Sequence, residues 1–374
     1  MILTWISVSF MCLAALDRIF GCKLGLGTEF EKGILLLGNM ALSMIGMIVL
    51  SPMIAWALEP VFGIFKGGFD PSVIPAILFA NDMGGAPLAL EIAQNGEIGG
   101  YHAFIVSSMM GATVSFTLPF SLSVVAKEKH KALFFGLLCG VATIPVGCLF
   151  GGLVVGAPIG LLLLNLLPLV LVAGGITLCL VKFPEGSIKV FSWLGIGMKA
   201  LITVGLAMGI FSFLTGIDIP HTATLQEGAD VCVNAACVMA GMFPLIFLVS
   251  KILKKPLKKA GNTIGMNETS VLGFVGTLAT NVTTLELLKD MDEKGAVLNS
   301  AFLVSAAFTF AGHLAFTLSY GPSYLGGMIV AKLVAGVSAV LLAGLLFEKS
   351  YQKMQTKDGQ TKADLQPIED SAGE

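Results

Sequence analysis

The feature that most constrains this chain is a series of long apolar runs separated by short polar connections. A helix needs about 20 such residues to cross the hydrocarbon core of a bilayer. Because backbone polar groups inside lipid must be satisfied internally, a chain of this kind is restricted to helices or closed barrels, and the runs have helix length. The runs predicted to span are 2–16, 34–58, 102–126, 132–154, 159–181, 190–214, 231–252, 296–318 and 326–347.

The composition supports a membrane protein and excludes several other classes. Hydrophobic residues make up 55% of the chain and charged residues only 12%, about half the charged share of a soluble domain. The net charge of −2 gives no basic surface for nucleic acid. The seven cysteines are scattered without a C-x-x-C pair, and no nucleotide-binding loop occurs. We therefore predict no metal, no cofactor and no catalytic residues.

Residues 70–93 are apolar at both ends and polar in the middle. A carboxylate at bilayer depth costs at least ~2.5 kcal/mol, and the neighbouring glycines and proline interrupt a helix and free backbone groups. These properties predict a re-entrant hairpin whose tip forms half of a cation-binding site. The predicted binding residues at this tip are Asn81, Asp82, Gly84 and Gly85.

A second broken segment, about 264–288, is predicted to supply the other half of the site. Amide and hydroxyl groups in it can exchange hydrogen bonds with a substrate hydroxyl. The candidates there are Asn267, Glu268, Asn281, Thr283 and Thr284. His313 lies within the predicted span 296–318, where an imidazole can bind substrate, respond to pH or join neighbouring helices as a neutral group.

The distribution of positive charge predicts the topology, because cytoplasmic loops collect Lys and Arg. With the N-terminus outside, the C-terminus inside and both hairpins re-entrant, 19 of the 22 Lys and Arg residues fall on the cytoplasmic side. Two others, Lys199 and Lys332, fall within spans and are expected to reach the interface or pair with a carboxylate.

This layout groups the elements into two units of opposite direction, an inverted-topology repeat. Repeat one covers 1–154, a linking helix covers 159–181 and repeat two covers 190–347, followed by a polar tail, 348–374, predicted to be disordered. Similar residues recur at an offset of 195, as in Asn39-x-Ala41-x-x-Met44 and Asn234-x-Ala236-x-x-Met239. Movement of one repeat against the other is predicted to expose the site to each side in turn.

Several motifs resemble the ethanolamine permease family of bacterial ethanolamine-utilisation operons. They are Asp82-Met83-Gly84-Gly85, Leu90-Glu91-Ile92-Ala93, Ser108-Met109-Met110-Gly111, Thr143-Ile144-Pro145, Ala279-Thr280-Asn281 and Val304-Ser305-Ala306-Ala307-Phe308. The resemblance implies uptake of ethanolamine, in its protonated form, across the bacterial inner membrane. It also implies that the partners are this small molecule and the lipid bilayer.

Other interpretations remain open at this stage. The same architecture suits another small polar solute, such as a nucleoside or a different amine, whereas an acid would require a cationic anchor. The chain could also be a non-transport membrane subunit or an intramembrane enzyme, which would need a nucleophile and a base close together. Homo-oligomers are common, so we also expect one here.

Overall fold

The computed structural model describes residues 2–62, 68–80, 84–263 and 265–351. These residues form helices and turns and contain no strand, which confirms the predicted all-α class. The α-helices are α1 (Ile2–Ile19), α2 (Leu26–Phe62), α3 (Val73–Leu78), α4 (Gly85–Ile92), α5 (Gly96–Tyr101), α6 (Leu118–Val124), α7 (His130–Val154), α8 (Ile159–Lys182), α9 (Pro184–Thr215), α10 (Leu225–Thr263), α11 (Glu268–Ala279), α12 (Asn281–Leu287), α13 (Glu293–Ala306), α14 (Gly312–Tyr320) and α15 (Leu325–Leu346).

Seven helical segments of the described chain are long and apolar enough to span a membrane, and they match seven of the predicted spans. The eighth, 2–16, corresponds to α1, which has 18 residues. The ninth prediction, one continuous span over 296–318, was wrong, because that region is divided into α13 and α14. Neither half reaches the ~20 residues of a spanning helix, so only the pair together could cross.

Both broken segments fold as helix pairs, as predicted. The first pairs α3 with α4 and the second pairs α11 with α12. An aspartate closes the base of each pair. Asp70 accepts the amides of Gln94 and Asn95 at 3.0 and 2.8 Å, and Asp292 accepts the Ser270 hydroxyl at 2.6 Å.

The hydrogen bonds of Asp292 also set its charge state. Burial would raise the pKa of this carboxyl, but hydrogen bonds from the Ser270 hydroxyl and from the amides of Asn267 and Gly295 hold it below its ordinary value. Asp292 therefore stays ionised at neutral pH and fastens the start of the second hairpin to its end.

The helix after the first hairpin is unusually wound. Between α5 and α6 the chain forms π-helix over His102–Gly111 and again over Thr113–Thr117. Such winding is rare beyond a single turn and often marks a functional site. The backbone of the first hairpin packs closely here, since a side chain at Gly111 would collide with the carbonyl of Phe79.

The helices pack as two bundles. The first bundle contains α1, α2, α9 and α10, and the second contains α7, α13 and α15 with the π-helical segment. The hairpins contact both bundles, since α4 also packs on α2 and α11 also packs on α10. Each bundle thus takes helices from both predicted repeats. The predicted movement of one repeat against the other stays a prediction.

The contacts inside the first bundle follow the offset seen in the sequence. Gly33 lies against Ala240, and Gly228 lies against Ile45, so α2 and α10 run antiparallel. Positions 33 and 45 become 228 and 240 when 195 is added. Each of the two contacts is therefore the counterpart of the other in the predicted repeat. The inverted repeat itself stays a prediction, and these contacts support it.

Candidate functional site

The two hairpin tips meet at one short π-helical segment, Thr113–Thr117. The amide of Ala80, at the first tip, donates to the Ser115 hydroxyl at 3.1 Å. The Asn281 side chain, at the second tip, donates through Nδ2 to the Thr117 hydroxyl at 3.1 Å. Ser115 and Thr117 are two positions apart, so both tips are attached to the same helical turn.

Glycine shapes the first tip. The amide of Gly85 donates to the carbonyl of Ala80 at 2.7 Å and closes the loop between α3 and α4. Gly84 has φ +107°, a conformation that favours glycine, and a side chain there would collide with Met47 of α2. Asn81 and Asp82 lie outside the described residues, so their role in binding stays a prediction.

Asn281 is the predicted residue whose position best suits ligand binding. It is the first residue of α12 and is fully buried. Its amide nitrogen is used by Thr117, whereas its Oδ1 has no hydrogen-bond partner among the described residues. A buried acceptor without a partner is costly, so this oxygen is suited to accept a hydrogen bond from a bound molecule.

The structure gives the two predicted threonines different environments. Thr284 is buried and holds the second hairpin together, with its hydroxyl 2.8 Å from that of Thr277 and 3.0 Å from the carbonyl of Gly273. Thr283 points to the exposed side of α12. Both residues lie in the first turn of α12 with Asn281; the role of Thr283 in binding stays a prediction, whereas the hydroxyl of Thr284 is engaged within the hairpin.

Asn267 and Glu268 lie at the base of the second hairpin. Asn267 caps α11 by accepting the amide of Ser270 at 2.8 Å, and its Nδ2 donates to the carbonyl of Asp290 at 2.9 Å. Glu268 is in the first turn of the same helix. At 1.5 Å per residue, the 12 residues of α11 put this base about 18 Å from the tip. The structure therefore does not bring these two residues to the other candidates.

The break between α13 and α14 packs on the second tip. The amides of Phe308 and Phe310 donate to the carbonyls of Thr277 and Leu278 at 3.2 and 3.0 Å. Phe308 has φ +62°, which is uncommon for a residue with a large side chain. His313 follows in the first turn of α14, fully buried, with its ring 5.2 Å from that of Phe308.

A lysine that sequence reasoning misjudged lies in the second bundle. Lys332 of α15 is 1% exposed, and its Nζ donates to the carbonyl of Ser108 at 2.7 Å. The expectation that this side chain reaches an interface was therefore wrong. Its ammonium is instead buried against the π-helical stretch His102–Gly111.

The polar groups that the described residues contribute at the tips are amides, hydroxyls and backbone atoms. Among the described residues, no three His, Cys, Asp or Glu side chains are grouped to hold a metal ion. Sequence reasoning missed Ser115 and Thr117. Their signal was the alternation of polar residues at 113, 115 and 117 inside an apolar span.

Comparison with known proteins adds independent information. A family model described as "Ethanolamine utilisation protein, EutH" matches residues 1–346. A relative from Listeria monocytogenes, named "Probable ethanolamine permease EutH", is 43% identical over 360 residues, covering 96% of each chain. A relative of the same name from Escherichia coli is 34% identical and covers 93% of this chain and 95% of its own. The Bacillus subtilis protein YxeR is 35% identical and covers 94% of this chain and 96% of its own. No solved structure matches.

Proposed function

Because the chain belongs to the EutH family of ethanolamine utilisation proteins, we propose that it is a permease that carries ethanolamine across a membrane. The observation that carries this proposal is the similarity, along almost the whole chain, to relatives named probable ethanolamine permeases. The multi-pass helical fold and the convergence of two hairpin tips support it, since transporter sites lie where broken helices meet.

In this proposal, Asp82 neutralises the ammonium of protonated ethanolamine and Asn281 accepts a hydrogen bond from its hydroxyl through Oδ1. The site needs the protonated form because a carboxylate inside the bilayer is stable only beside a positive partner. Asn81 and the backbone around Gly84 and Gly85 contribute further acceptors at the first tip. His313, at the break that contacts the second tip, is within the same region of the fold.

We further propose that the permease lies in the bacterial inner membrane with its N-terminus outside and its C-terminus in the cytoplasm. The excess of Lys and Arg in the loops assigned to the inside supports this orientation. Replacement of His130, in one of those loops, by cysteine gives a test. A membrane-impermeant thiol reagent should label residue 130 from the cytoplasmic side only, and labelling from outside would reverse the orientation.

The decisive experiment is uptake of labelled ethanolamine by liposomes that contain the purified chain, at two pH values, with and without a sodium gradient. We expect saturable uptake that unlabelled ethanolamine competes for and uridine does not. Choline as a second competitor tests whether the site tolerates a bulkier ammonium group. Liposomes with the Leu171→Ala variant serve as a control, because this side chain is on the exposed side of α8. Protein-independent leakage alone at both pH values would refute the proposal.

A further inference from the structure

Two grooves lie between the bundles. The first, about 700 Å³, is bordered by α2, α9 and the π-helical segment that continues into α6. Its polar and aromatic lining includes Asn39, Ser43, Ser115, Phe116, Ser123 and Lys199. The second, about 550 Å³, is bordered by α1, α10 and α14. Its lining includes Thr4, Ser7, Asn234, Cys237, Val238 and Ser319.

The linings of the two grooves correspond position by position. The corresponding pairs, each 195 residues apart, are Asn39 and Asn234, Leu42 and Cys237, Ser43 and Val238, Thr4 and Lys199, and Ser7 and Ile202. These are the helices that the predicted inverted repeat relates to each other. The two grooves are therefore equivalent sites of the two repeats.

The grooves lie toward opposite sides of the membrane. Asn39 and Asn234 each fall in the N-terminal half of their helix, α2 or α10. Those helices are antiparallel, because Gly33 lies against Ala240 and Gly228 lies against Ile45. These contacts put Asn39 and Asn234 at the same height. Leu42 and Cys237 each lie three residues beyond that height, toward the C-terminal end of α2 or α10, so the two grooves are displaced in opposite directions and these two residues are about 9 Å apart along the helix axes.

Only the first groove reaches the hairpin tips. It is lined by Ser115, which binds the first tip, and by Phe116, whose ring lies edge-on to that of Phe308 at 5.9 Å. The positions that correspond to Ser115 and Phe116 at the offset of 195 are Phe310 and Ala311, and the chain is tightly packed around them. The apolar residues that fill this place are Ala235, Met239, Ala311 and Ala315, all buried.

The charge in the first groove indicates that water enters it. Lys199 is exposed and lies inside the spanning segment Lys189–Thr215. An ammonium group facing lipid at that depth costs several kcal/mol, whereas a water-filled groove solvates it. The asparagines at the equivalent positions 39 and 234 favour the same environment on both sides.

We propose that the two grooves are the two ends of one translocation pathway, through which a small hydrophilic solute reaches the hairpin tips from either side. This inference rests on the proposed transport function and specifies its route. In this structure the pathway is open through the first groove and closed at the second by the packed residues around Ala311. Transport exchanges these states when the bundles shift, so that the first groove closes as the second opens.

The repeat supplies a matched pair of reporters, because Leu42 in the first groove corresponds to Cys237 in the second. One variant keeps Cys237 as its single cysteine, and another has no cysteine except that introduced by Leu42→Cys. The control, Leu171→Cys, is on the exposed side of α8, away from both grooves. Each is treated with a membrane-impermeant maleimide in right-side-out and inverted vesicles.

We expect Leu42→Cys and Cys237 to be labelled from opposite sides, each at least about tenfold faster than Leu171→Cys. A thiol in apolar surroundings has a raised pKa, and each pKa unit lowers its reactive thiolate about tenfold. Labelling of both positions from the same side, or at the rate of the control, would overturn the proposed pathway.

Uptake by the same preparations separates this inference from the proposed substrate. Ethanolamine uptake together with the wrong labelling pattern refutes the pathway alone. The expected labelling without uptake supports the pathway and refutes ethanolamine as its solute. If removal of the native cysteines abolishes both labelling and uptake, the cysteine variants are replaced by Ser43→Trp and Val238→Trp, each made in the native chain. Each should then reduce uptake at least about tenfold, as expected for a filled groove, relative to Leu171→Trp; unchanged uptake in both would refute the pathway.

Discussion

The hydrogen bond between Asn281 and Thr117 joins the second hairpin to the segment that also holds the first. Both side chains are buried, and Nδ2 and Oγ1 are 3.1 Å apart. A typical intramolecular hydrogen bond contributes about 0.5–1.5 kcal/mol, and a partner left buried and unsatisfied costs about 1–3 kcal/mol. We therefore expect Asn281→Ala and Thr117→Val each to lower the free energy of unfolding by about 1–3 kcal/mol.

The two variants should differ in transport. Thr117→Val removes the partner of Nδ2 but leaves the Oδ1 of Asn281 in place, whereas Asn281→Ala removes both. If Oδ1 accepts a hydrogen bond worth about 0.5–1.5 kcal/mol from the substrate hydroxyl, Asn281→Ala should raise the half-saturation concentration about 2- to 13-fold. Thr117→Val should change it by less than about twofold.

A double-mutant cycle provides the measurement. The single variants and the double variant are compared by chemical unfolding in detergent and by uptake into liposomes, and the coupling in stability should be about 0.5–1.5 kcal/mol. Equal effects of the two substitutions on half-saturation would contradict the assignment of Oδ1 to substrate. Zero coupling in stability would contradict the hydrogen bond itself.

Three other perturbations follow from the structure. Asp82→Asn should abolish saturable ethanolamine uptake at unchanged expression, and wild-type uptake would remove this residue from the site. Gly241→Ala should destabilise the first bundle by about 1–3 kcal/mol, because its methyl group would collide with the Ser7 carbonyl. Thermal unfolding measures this effect, with Gly174→Ala as the control, because a methyl group at position 174 meets open space. Because the pKa of Asp292 is lower in the folded protein than its ordinary value of 3.8, ionised Asp292 stabilises the fold. This stabilisation is complete above pH 3.8 and is lost as the pH falls through the lower pKa of the folded protein. Asp292→Asn should therefore lower the unfolding temperature at pH 7 and weaken its decline in acid, and an unchanged unfolding temperature would contradict this role.

The sequence predicted the helical class and both hairpins because these depend on local properties. Apolar runs of spanning length leave helix as the available structure. The glycines at 84 and 85 indicate a break because polar residues precede them and Pro87 follows, whereas the glycine pair at 151–152, without such neighbours, lies inside α7. The break at 307–311 carries no such mark, since it contains neither glycine nor proline. Its amides bond to carbonyls of the second hairpin, a tertiary contact that no local pattern contains.

The site was predictable only in part for a related reason. Asn281 is buried at the tip of the second hairpin and its role in binding stays a prediction, whereas Asn267 and Glu268, with an equally polar signature, lie at the base of the same hairpin. Polarity in a short helix pair does not distinguish its tip from its base, because both ends lack intrahelical partners. Lys332 was misjudged because its environment depends on the packing of α15 against the π-helix.

The hydroxyls of Ser115 and Thr117 have a consequence for how variation in this protein can be tolerated. Loops about 200 positions apart along the chain bind to hydroxyl groups two positions apart in one helical turn. A substitution that displaces that turn disturbs both loops at once, and a change in one loop alters the position available to the other. Engineering a new specificity into either hairpin will therefore require compensating changes at 113–117 and in the opposite hairpin.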